Sequence, residues 1–221
     1  INFGTYAQMR LGILRSNIDA ETIVGGEDLP RFDINQGALT SSFTYDQIDD
    51  SNFPKYGIAS DIRLFNAEKG LGADESYDKL EFGVIKATTF NKHTFLMSLD
   101  TGMRLGREIP FYDEMTLGGF LALSGYRKGQ LRGQYSGLGR LIYYYEALKL
   151  PNQWVDGIYI GGSFETGNVW NKGRQVKLND LLYGGTVFVG ADTIFGPLYL
   201  GYGGTEGGEE GEIYLFLGQT F

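Results

Sequence analysis

Ten segments of this chain alternate apolar and polar residues with a period of two, and this pattern constrains the fold more than any other feature. In the last segment, Ile213, Leu215, Leu217 and Phe221 all share one parity. Successive side chains of a strand point to opposite faces, so each segment is predicted to be a β-strand with one apolar face. The ten predicted strands lie near residues 5–15, 33–46, 57–66, 76–89, 92–105, 134–148, 155–168, 181–193, 196–204 and 211–221.

Three consecutive predicted strands carry charged residues on the face opposite their apolar one. On the third strand, Asp61 and Arg63 oppose Ile58, Ile62 and Leu64. A barrel with a lipid-facing exterior and a wet interior would allow this arrangement. No run of about 18 apolar residues exists, which excludes a membrane-spanning helix. The sequence therefore predicts an all-β fold, a transmembrane antiparallel β-barrel with about ten strands visible. Its lipid-facing residues are predicted to include Thr5, Leu39, Leu80, Phe95, Ile160, Leu200 and Leu215.

The composition leaves soluble β-folds as an alternative and disfavours one class of partner. The chain has 221 residues with 34 Gly, 15 Tyr, 15 Phe, no Cys and a formal charge of −8. An acidic chain without a cluster of Lys and Arg is not expected to bind nucleic acid. Soluble β-sandwiches and lipocalin-like barrels also have alternating strands. Aromatic residues near the strand ends favour the membrane barrel, so membrane lipids are the expected surroundings.

The stretch from residue 117 to 133, LGGFLALSGYRKGQLRG, is too long and too rich in glycine for a tight hairpin turn. It is predicted to be a long loop folded back into the lumen of the barrel. Its glycines would let the backbone turn and lie close against the wall. A phosphate-binding loop is excluded, because no Lys-Ser/Thr pair follows and no helix start is in reach. The residues expected to form this lumenal site are Leu117, Gly118, Gly119, Leu123, Ser124, Gly125, Tyr126 and Gly133.

No catalytic or cofactor chemistry is expected from these residues. The G-x-S-x-G elbow of a serine hydrolase is absent, and the sequence GGSFE around Ser163 lacks the second glycine. His93 is the single histidine and lies on an apolar face near a strand end, which favours a membrane-interface position over a general base. A run of glutamates could hold Ca²⁺ weakly, but a solvated hairpin loop is favoured and no metal site is predicted. That run comprises Glu206, Glu209, Glu210 and Glu212.

Four motifs, in order along the chain, carry a resemblance to a known family. The run from Phe111 through LGGFLALSGY resembles the F-x-L-G-G-x-x-x-[LV]-R-G-[FY] loop of the superfamily of BamA and two-partner-secretion transporters, the bacterial surface antigens. The segments YDQIDDSNFPKYG, GSFETGNVW and ADTIFGPLYLGYG are similar to three further motifs of that family. The terminal Phe221 matches the usual C-terminal signature of outer-membrane barrels.

Four segments are most similar to the barrel that follows a patatin-like phospholipase in self-secreted fusion proteins. They are LSGYRKGQLRGQY, SFETGNVW, GPLYLGYG and YLFLGQTF. This resemblance implies that residues 1–221 form a single barrel domain in the bacterial outer membrane, the C-terminal part of a longer precursor. A signal peptide, a lipase and a small periplasmic adaptor domain would come before it. The barrel would anchor, and help to translocate, the covalently linked lipase passenger.

Other functions and partners stay open at this point. An insertase or transporter for other proteins is one alternative function, and a passive pore or ligand-binding barrel is another. A homodimer and the barrel assembly machinery are further partners that the sequence leaves open.

Two departures from the family pattern affect these expectations. Ser124 stands where the family's loop has its arginine, so the usual pair between that arginine and a lumenal carboxylate cannot form in the same way. Arg127 or Arg132 is predicted to replace it, pairing with Glu165, which stands at the family's lumenal aspartate, or with Glu146. The superfamily barrel also has about sixteen strands. Lost first strands, a smaller variant and two cooperating chains are the open explanations for the ten predicted here.

Overall fold

The computed structural model describes residues 1–20, 32–150, 154–173, 176–206 and 211–219. This part of the chain contains thirteen β-strands and three single-turn 3₁₀ helices, at Lys69–Leu71, Phe111–Asp113 and Leu178–Asp180. No helix within it has the length and apolarity needed to cross a membrane. The strands are β1 (Asn2–Phe3), β2 (Ala7–Ala20), β3 (Phe32–Asp46), β4 (Gly57–Ala67), β5 (Tyr77–Phe90), β6 (His93–Arg104), β7 (Met115–Leu117), β8 (Leu131–Gly133), β9 (Tyr135–Lys149), β10 (Val155–Trp170), β11 (Leu182–Thr193), β12 (Gly196–Thr205) and β13 (Glu212–Leu217).

Eleven of these strands form one antiparallel sheet in the order β1-β2-β3-β4-β5-β6-β9-β10-β11-β12-β13. Ten of them correspond one to one with the ten predicted strands, so the all-β antiparallel prediction is confirmed. The eleventh, β1, has only two residues, which is too short to show an alternating pattern. Within the described ranges no pairing joins β13 to β1 or β2, so the sheet is open there.

One face of the sheet exposes large apolar side chains along nearly every strand. The predicted lipid-facing residues Leu39, Phe95, Ile160, Leu200 and Leu215 are all exposed on it. Leu80 is half-buried on the same face, because its backbone partners Leu64 and Met103 flank it there. Thr5 was assigned to this face wrongly. It lies in the turn between β1 and β2, where Gly4 has a φ of 68°.

Apart from residues 47–56, which fold inward, the connections at the two ends of the sheet differ in length. One end, which we call the short-turn end, has short turns at residues 4–6, 91–92 and 194–195. The other end, which we call the long-loop end, has longer connections at residues 68–76, 105–134 and 171–181. Outer-membrane barrels have short periplasmic turns and longer extracellular loops. This asymmetry gives the sheet an expected direction in a membrane.

The core lies between the sheet's inner face and two connections that fold onto that face, rather than between two sheets. One connection is the long loop, residues 105–134. The other is the inward turn, residues 47–56, which enters from the short-turn end. One buried cluster packs against β5, β6 and β9–β12 and consists of Phe53, Ala87, Leu96, Leu121, Ile142, Tyr144, Tyr159, Phe188 and Tyr199. The second packs against β3–β5 and consists of Ala38, Ala67, Ala73, Tyr77, Ile109 and Met115.

Candidate functional site

The tip of the long loop is a compact turn built on a short hairpin. Strands β7 and β8 pair from Met115 with Gly133 to Leu117 with Leu131. Beyond them, the Gly118 N–H donates to the Ala122 carbonyl at 2.8 Å and the Gly119 N–H to the Tyr126 carbonyl at 2.8 Å.

Glycine is required at the base of this turn and strain is accepted at its centre. Gly118 has a φ of 118°, and a Cβ there would lie 2.2 Å from the Arg127 carbonyl oxygen. Leu121 and Leu123 also have positive φ, at 58° and 66°, although they are not glycine. Both leucine side chains are fully buried. Their burial offsets the cost of a left-handed backbone, which is about 1–2 kcal/mol per residue.

A buried carboxylate on β10 holds the loop tip to the wall. Glu165 is fully buried. The Ser124 backbone N–H donates to its Oε2 at 2.6 Å, and the Ser124 hydroxyl donates to its Oε1 at 2.9 Å. The Ser163 hydroxyl donates to Oε1 at 2.5 Å, and the Thr186 hydroxyl donates to the Ser124 Oγ at 2.5 Å. We call Glu165 and these three hydroxyl residues the carboxylate anchor. Several charge-assisted hydrogen bonds compensate the desolvation of the buried carboxylate.

Glycines of the wall make room for this close contact. A Cβ at Gly203 would lie 2.6 Å from the Ser124 Cβ, and one at Gly184 would lie 3.0 Å from the Ser124 carbonyl oxygen. A Cβ at Gly125 would lie 2.6 Å from the Thr205 backbone nitrogen. Loop and wall therefore meet backbone to backbone, and only glycine fits on either side.

The predicted pairs of Arg127 or Arg132 with Glu165 or Glu146 are not the ones that form. The Arg127 Nε lies 3.8 Å from Glu212 in an exposed position, and the Arg132 Nε donates to the Gly129 carbonyl at 3.2 Å. Glu146 pairs with Lys55 of the inward turn. The chain turns at Gly125, so the later arginines point away from Glu165. The short Ser124 side chain lets the loop backbone itself reach the carboxylate.

An arginine that the sequence pattern did not single out reaches the loop from the wall. Arg140 of β9 is the direct backbone partner of Glu165 and of Ser98. Its Nη2 lies 2.6 Å from Asp100 Oδ2, its Nε donates to Ser98 at 2.7 Å, and its Nη1 donates to the Leu121 carbonyl at 3.5 Å. The alternating pattern of β9 places Arg140 on the inner face, and this signal could have identified it.

A second attachment fixes the other half of the long loop to β5. Asp113 accepts hydrogen bonds from the buried Tyr77 hydroxyl at 2.6 Å and from the Lys79 ammonium at 2.7 Å. The Gln134 amide closes the base of the loop, accepting from the Ile109 N–H at 2.7 Å and donating to its carbonyl at 2.9 Å. The long loop is therefore held at both β5 and β10.

The rim of the long-loop end carries an exposed ion pair. Arg107 donates to Glu68 at 2.6 Å, and this hydrogen bond lowers the pKa of the Glu68 carboxyl below its usual value. In the long loop beside Asp113, burial raises the pKa of Tyr112 to about 12.

The inward turn closes the short-turn end with one aromatic residue. Phe53 stacks on Tyr159 with ring centroids 4.0 Å apart and lies edge-on to Tyr144 at 5.7 Å. The Tyr144 hydroxyl donates to the Pro54 carbonyl, and the Asn52 amide donates to Asp192 at 2.8 Å.

The long loop and the inward turn meet on a single wall residue, Tyr199. The Phe120 ring of the long loop lies 5.4 Å from the Tyr199 ring, and the Phe53 ring lies 5.3 Å from it on the other side. The inner face at β9–β12 is therefore filled from both ends. At β4–β6 a polar cavity of about 280 Å³ remains between wall and loop, lined by residues that include Asp61, Arg63, Asp100 and Glu114.

This combination of an open antiparallel sheet and an inserted loop can be compared with known proteins. A family profile described as the Omp85 superfamily domain matches residues 14–221. The chain belongs to the Omp85 superfamily. The fold of this Omp85 domain is similar to the crystal structure of BamA from Haemophilus ducreyi lacking POTRA domains 1-3, with a TM-score of 0.66 and 16% sequence identity.

The structural match covers 85% of this chain and 42% of that one, so the Omp85 domain spans less than half of the BamA chain. A search among curated proteins found no match. The predicted superfamily and barrel-type fold are thus confirmed, and membership in Omp85 implies a bacterial outer-membrane β-barrel.

The remaining candidate residues of the Omp85 domain lie apart from the long loop. His93 is exposed on the outer face, with its Nδ1 2.8 Å from the Tyr143 hydroxyl. Glu206 lies in a turn and Glu212 begins β13. Glu209, Glu210 and the terminal Phe221 lie outside the described residues.

Proposed function

We propose that this Omp85 domain forms a bacterial outer-membrane barrel that anchors an N-terminal, covalently linked lipase passenger and helps to export it. The observation that carries the anchoring role is the long loop. It is attached to β5 through Asp113 and to β10 through Glu165, and it lies over the inner face between them. A lumen occupied in this way suits a static anchor better than a permanently open pore.

The energetics of the carboxylate anchor support a permanent brace. Pulling the loop tip away would leave Glu165 buried without the donors of Ser124. A buried donor or acceptor that loses its partner costs about 1–3 kcal/mol, and more when it is charged. The loop tip is therefore expected to stay bound to the wall in the folded protein.

The identity of the passenger is the more specific part of the proposal, and it rests on sequence resemblance. The segments LSGYRKGQLRGQY, SFETGNVW and GPLYLGYG resemble barrels that follow a patatin-like phospholipase. The Omp85 profile already takes up residues 14–221, so a lipase would have to be a separate domain. The residues of the barrel itself are proposed to carry no catalysis.

The passenger can be tested in the source bacterium with an antibody against this chain. Immunoblots of outer-membrane fractions are expected to show a band much larger than 221 residues. The protein isolated with the antibody should hydrolyse a fluorescent phospholipid, and an organophosphate that acylates lipase serines should abolish the activity. A band of the size of this chain, or a larger band without lipase activity, would remove the passenger from the proposal.

A second candidate is an insertase or transporter for other proteins. The open edge of the sheet favours it, because β13 pairs only with β12 in the described structure and has only six residues. Its backbone donors and acceptors on the free side could pair with a strand of a client protein. Proteoliposomes containing the barrel should then accelerate the membrane insertion of an unfolded barrel client over empty liposomes.

A further inference from the structure

Lys86 lies among apolar side chains on the outer face of the sheet. Lys86 of β5 is exposed, and its backbone partners are Ile58 on β4 and Met97 on β6. Met97 in turn pairs with Leu141 on β9, so Lys86 lies within a row of exposed apolar side chains. Within the described part of the chain Lys86 makes no hydrogen bond or ion pair with another residue. A lysine facing lipid is unfavourable, so its charge requires an explanation.

The height of Lys86 on the sheet puts its ammonium within reach of one membrane surface. It lies four residues before Phe90, the last residue of β5, at the short-turn end. Four residues span about 13 Å of strand, or roughly 9 Å of depth at the ~45° tilt of barrel strands. A lysine side chain extends its ammonium toward the headgroups over such a distance.

Polar aromatic residues lie between Lys86 and that surface. The next row toward the short-turn end contains Phe95 and Tyr143, and the row after it contains His93 and Tyr145. The His93 Nδ1 lies 2.8 Å from the Tyr143 hydroxyl, and the Phe95 and Tyr143 rings lie 5.2 Å apart. Tyrosine and histidine at this depth place polar atoms at the level of lipid headgroups and rings against the acyl chains.

We propose that Lys86, His93 and Tyr143 bind the phosphate headgroup of an anionic glycerophospholipid, with Phe95 and Met97 beneath its glycerol and first acyl carbons. Charge complementarity carries this inference: the patch offers one ammonium and two further polar side chains but no carboxylate. The apolar side chains around these polar groups fit a lipid better than a protein partner. The site rests on the proposed membrane placement, with the short-turn end at the inner leaflet.

The experiment is native mass spectrometry of the folded chain with added phosphatidylglycerol. Lys86→Met should weaken phosphatidylglycerol binding about fivefold, as expected for one basic residue at an anionic surface. Lys86→Arg should retain binding, because arginine also reaches a phosphate. Lys69→Met is the matched control, since Lys69 is an exposed lysine at the opposite end of the sheet. Heat-modified gel mobility confirms that each variant is folded.

The outcomes separate this inference from the proposed function. Phosphatidylglycerol binding that is unchanged in Lys86→Met, or reduced equally in Lys69→Met, overturns the site while leaving the barrel in place. Phosphatidylcholine that binds as tightly as phosphatidylglycerol also overturns it, because that lipid has no net charge. A chain that fails to insert into phosphatidylglycerol vesicles at all removes both the membrane barrel and the lipid site.

Discussion

At the scale of single residues, the carboxylate anchor depends on Glu165. Changing Glu165→Ala would leave the Ser124 N–H and two hydroxyls without their acceptor in a buried place. We expect the free energy of unfolding to fall by about 1–3 kcal/mol or more. This change is measured by urea unfolding, with the loss of heat-modified gel mobility as the readout. Arg127→Ala is the control, because its exposed pair with Glu212 contributes at most about 1 kcal/mol. Equal losses in both variants would contradict a special role of Glu165.

Two neighbouring glycines of β12 provide a second test at this scale. A Cβ at Gly203 would lie 2.6 Å from the Ser124 Cβ and 2.7 Å from the Thr186 hydroxyl oxygen, whereas one at Gly204 would meet nothing closer than 4.0 Å. Gly203→Ala should therefore push the loop tip from the wall and cost about 1–3 kcal/mol, as overpacking does. Gly204→Ala should be neutral or slightly stabilising, since it reduces the freedom of the unfolded chain. The same urea measurement compares them, and similar stabilities would argue against tight loop-to-wall contact.

At the scale of elements, the sequence predicted the ten long strands because period two is a local property. It could not predict β7 and β8, which have three residues each, or the inward direction of the 47–56 turn. Turn residues such as Pro54 and Gly57 mark where a strand stops but not which way the chain then folds. Glu165 was predicted as the lumenal carboxylate, but its donor was assigned to Arg127 or Arg132. The actual donor, Ser124, acts partly through its backbone N–H, which no side-chain pattern reports.

The long loop as an element should brace the sheet and occlude the lumen. Replacing residues 118–130 with Asn-Gly would keep the β7–β8 hairpin, because this dipeptide favours a two-residue hairpin turn. It would also remove the contact between Ser124 and Glu165 and the Phe120 ring that packs on Tyr199. We expect lower thermal stability and a larger single-channel conductance in planar bilayers. Lys128→Ala, an exposed change in the same loop, should alter neither. A deletion variant with unchanged stability and unchanged conductance would refute both roles of the loop.

The inward turn makes a separate contribution from the other end. Phe53 is almost fully buried and contacts Tyr159, Tyr144 and Tyr199. Phe53→Ala should cost about 3–5 kcal/mol, the usual range for losing a buried phenyl ring. Phe90→Ala is a matched control, since Phe90 is 67% exposed on the outer face. Thermal unfolding in detergent compares the two, and an equal loss would mean that Phe53 is not part of a packed core.

At the scale of the whole molecule, stability should not be uniform across the sheet. Strand β10 is paired on both sides over most of its length and packs against the long loop, whereas β13 pairs only with β12 over six residues in the part described. Backbone amides open more readily where contacts are few. Hydrogen exchange of the chain in nanodiscs should therefore be slowest in β9 and β10 and fastest in β13. Protection of β13 equal to that of β10 would mean that its free edge is paired. Native mass spectrometry would then decide the partner, because a dimer would assign that edge to a second copy and a monomer to a strand of the same chain.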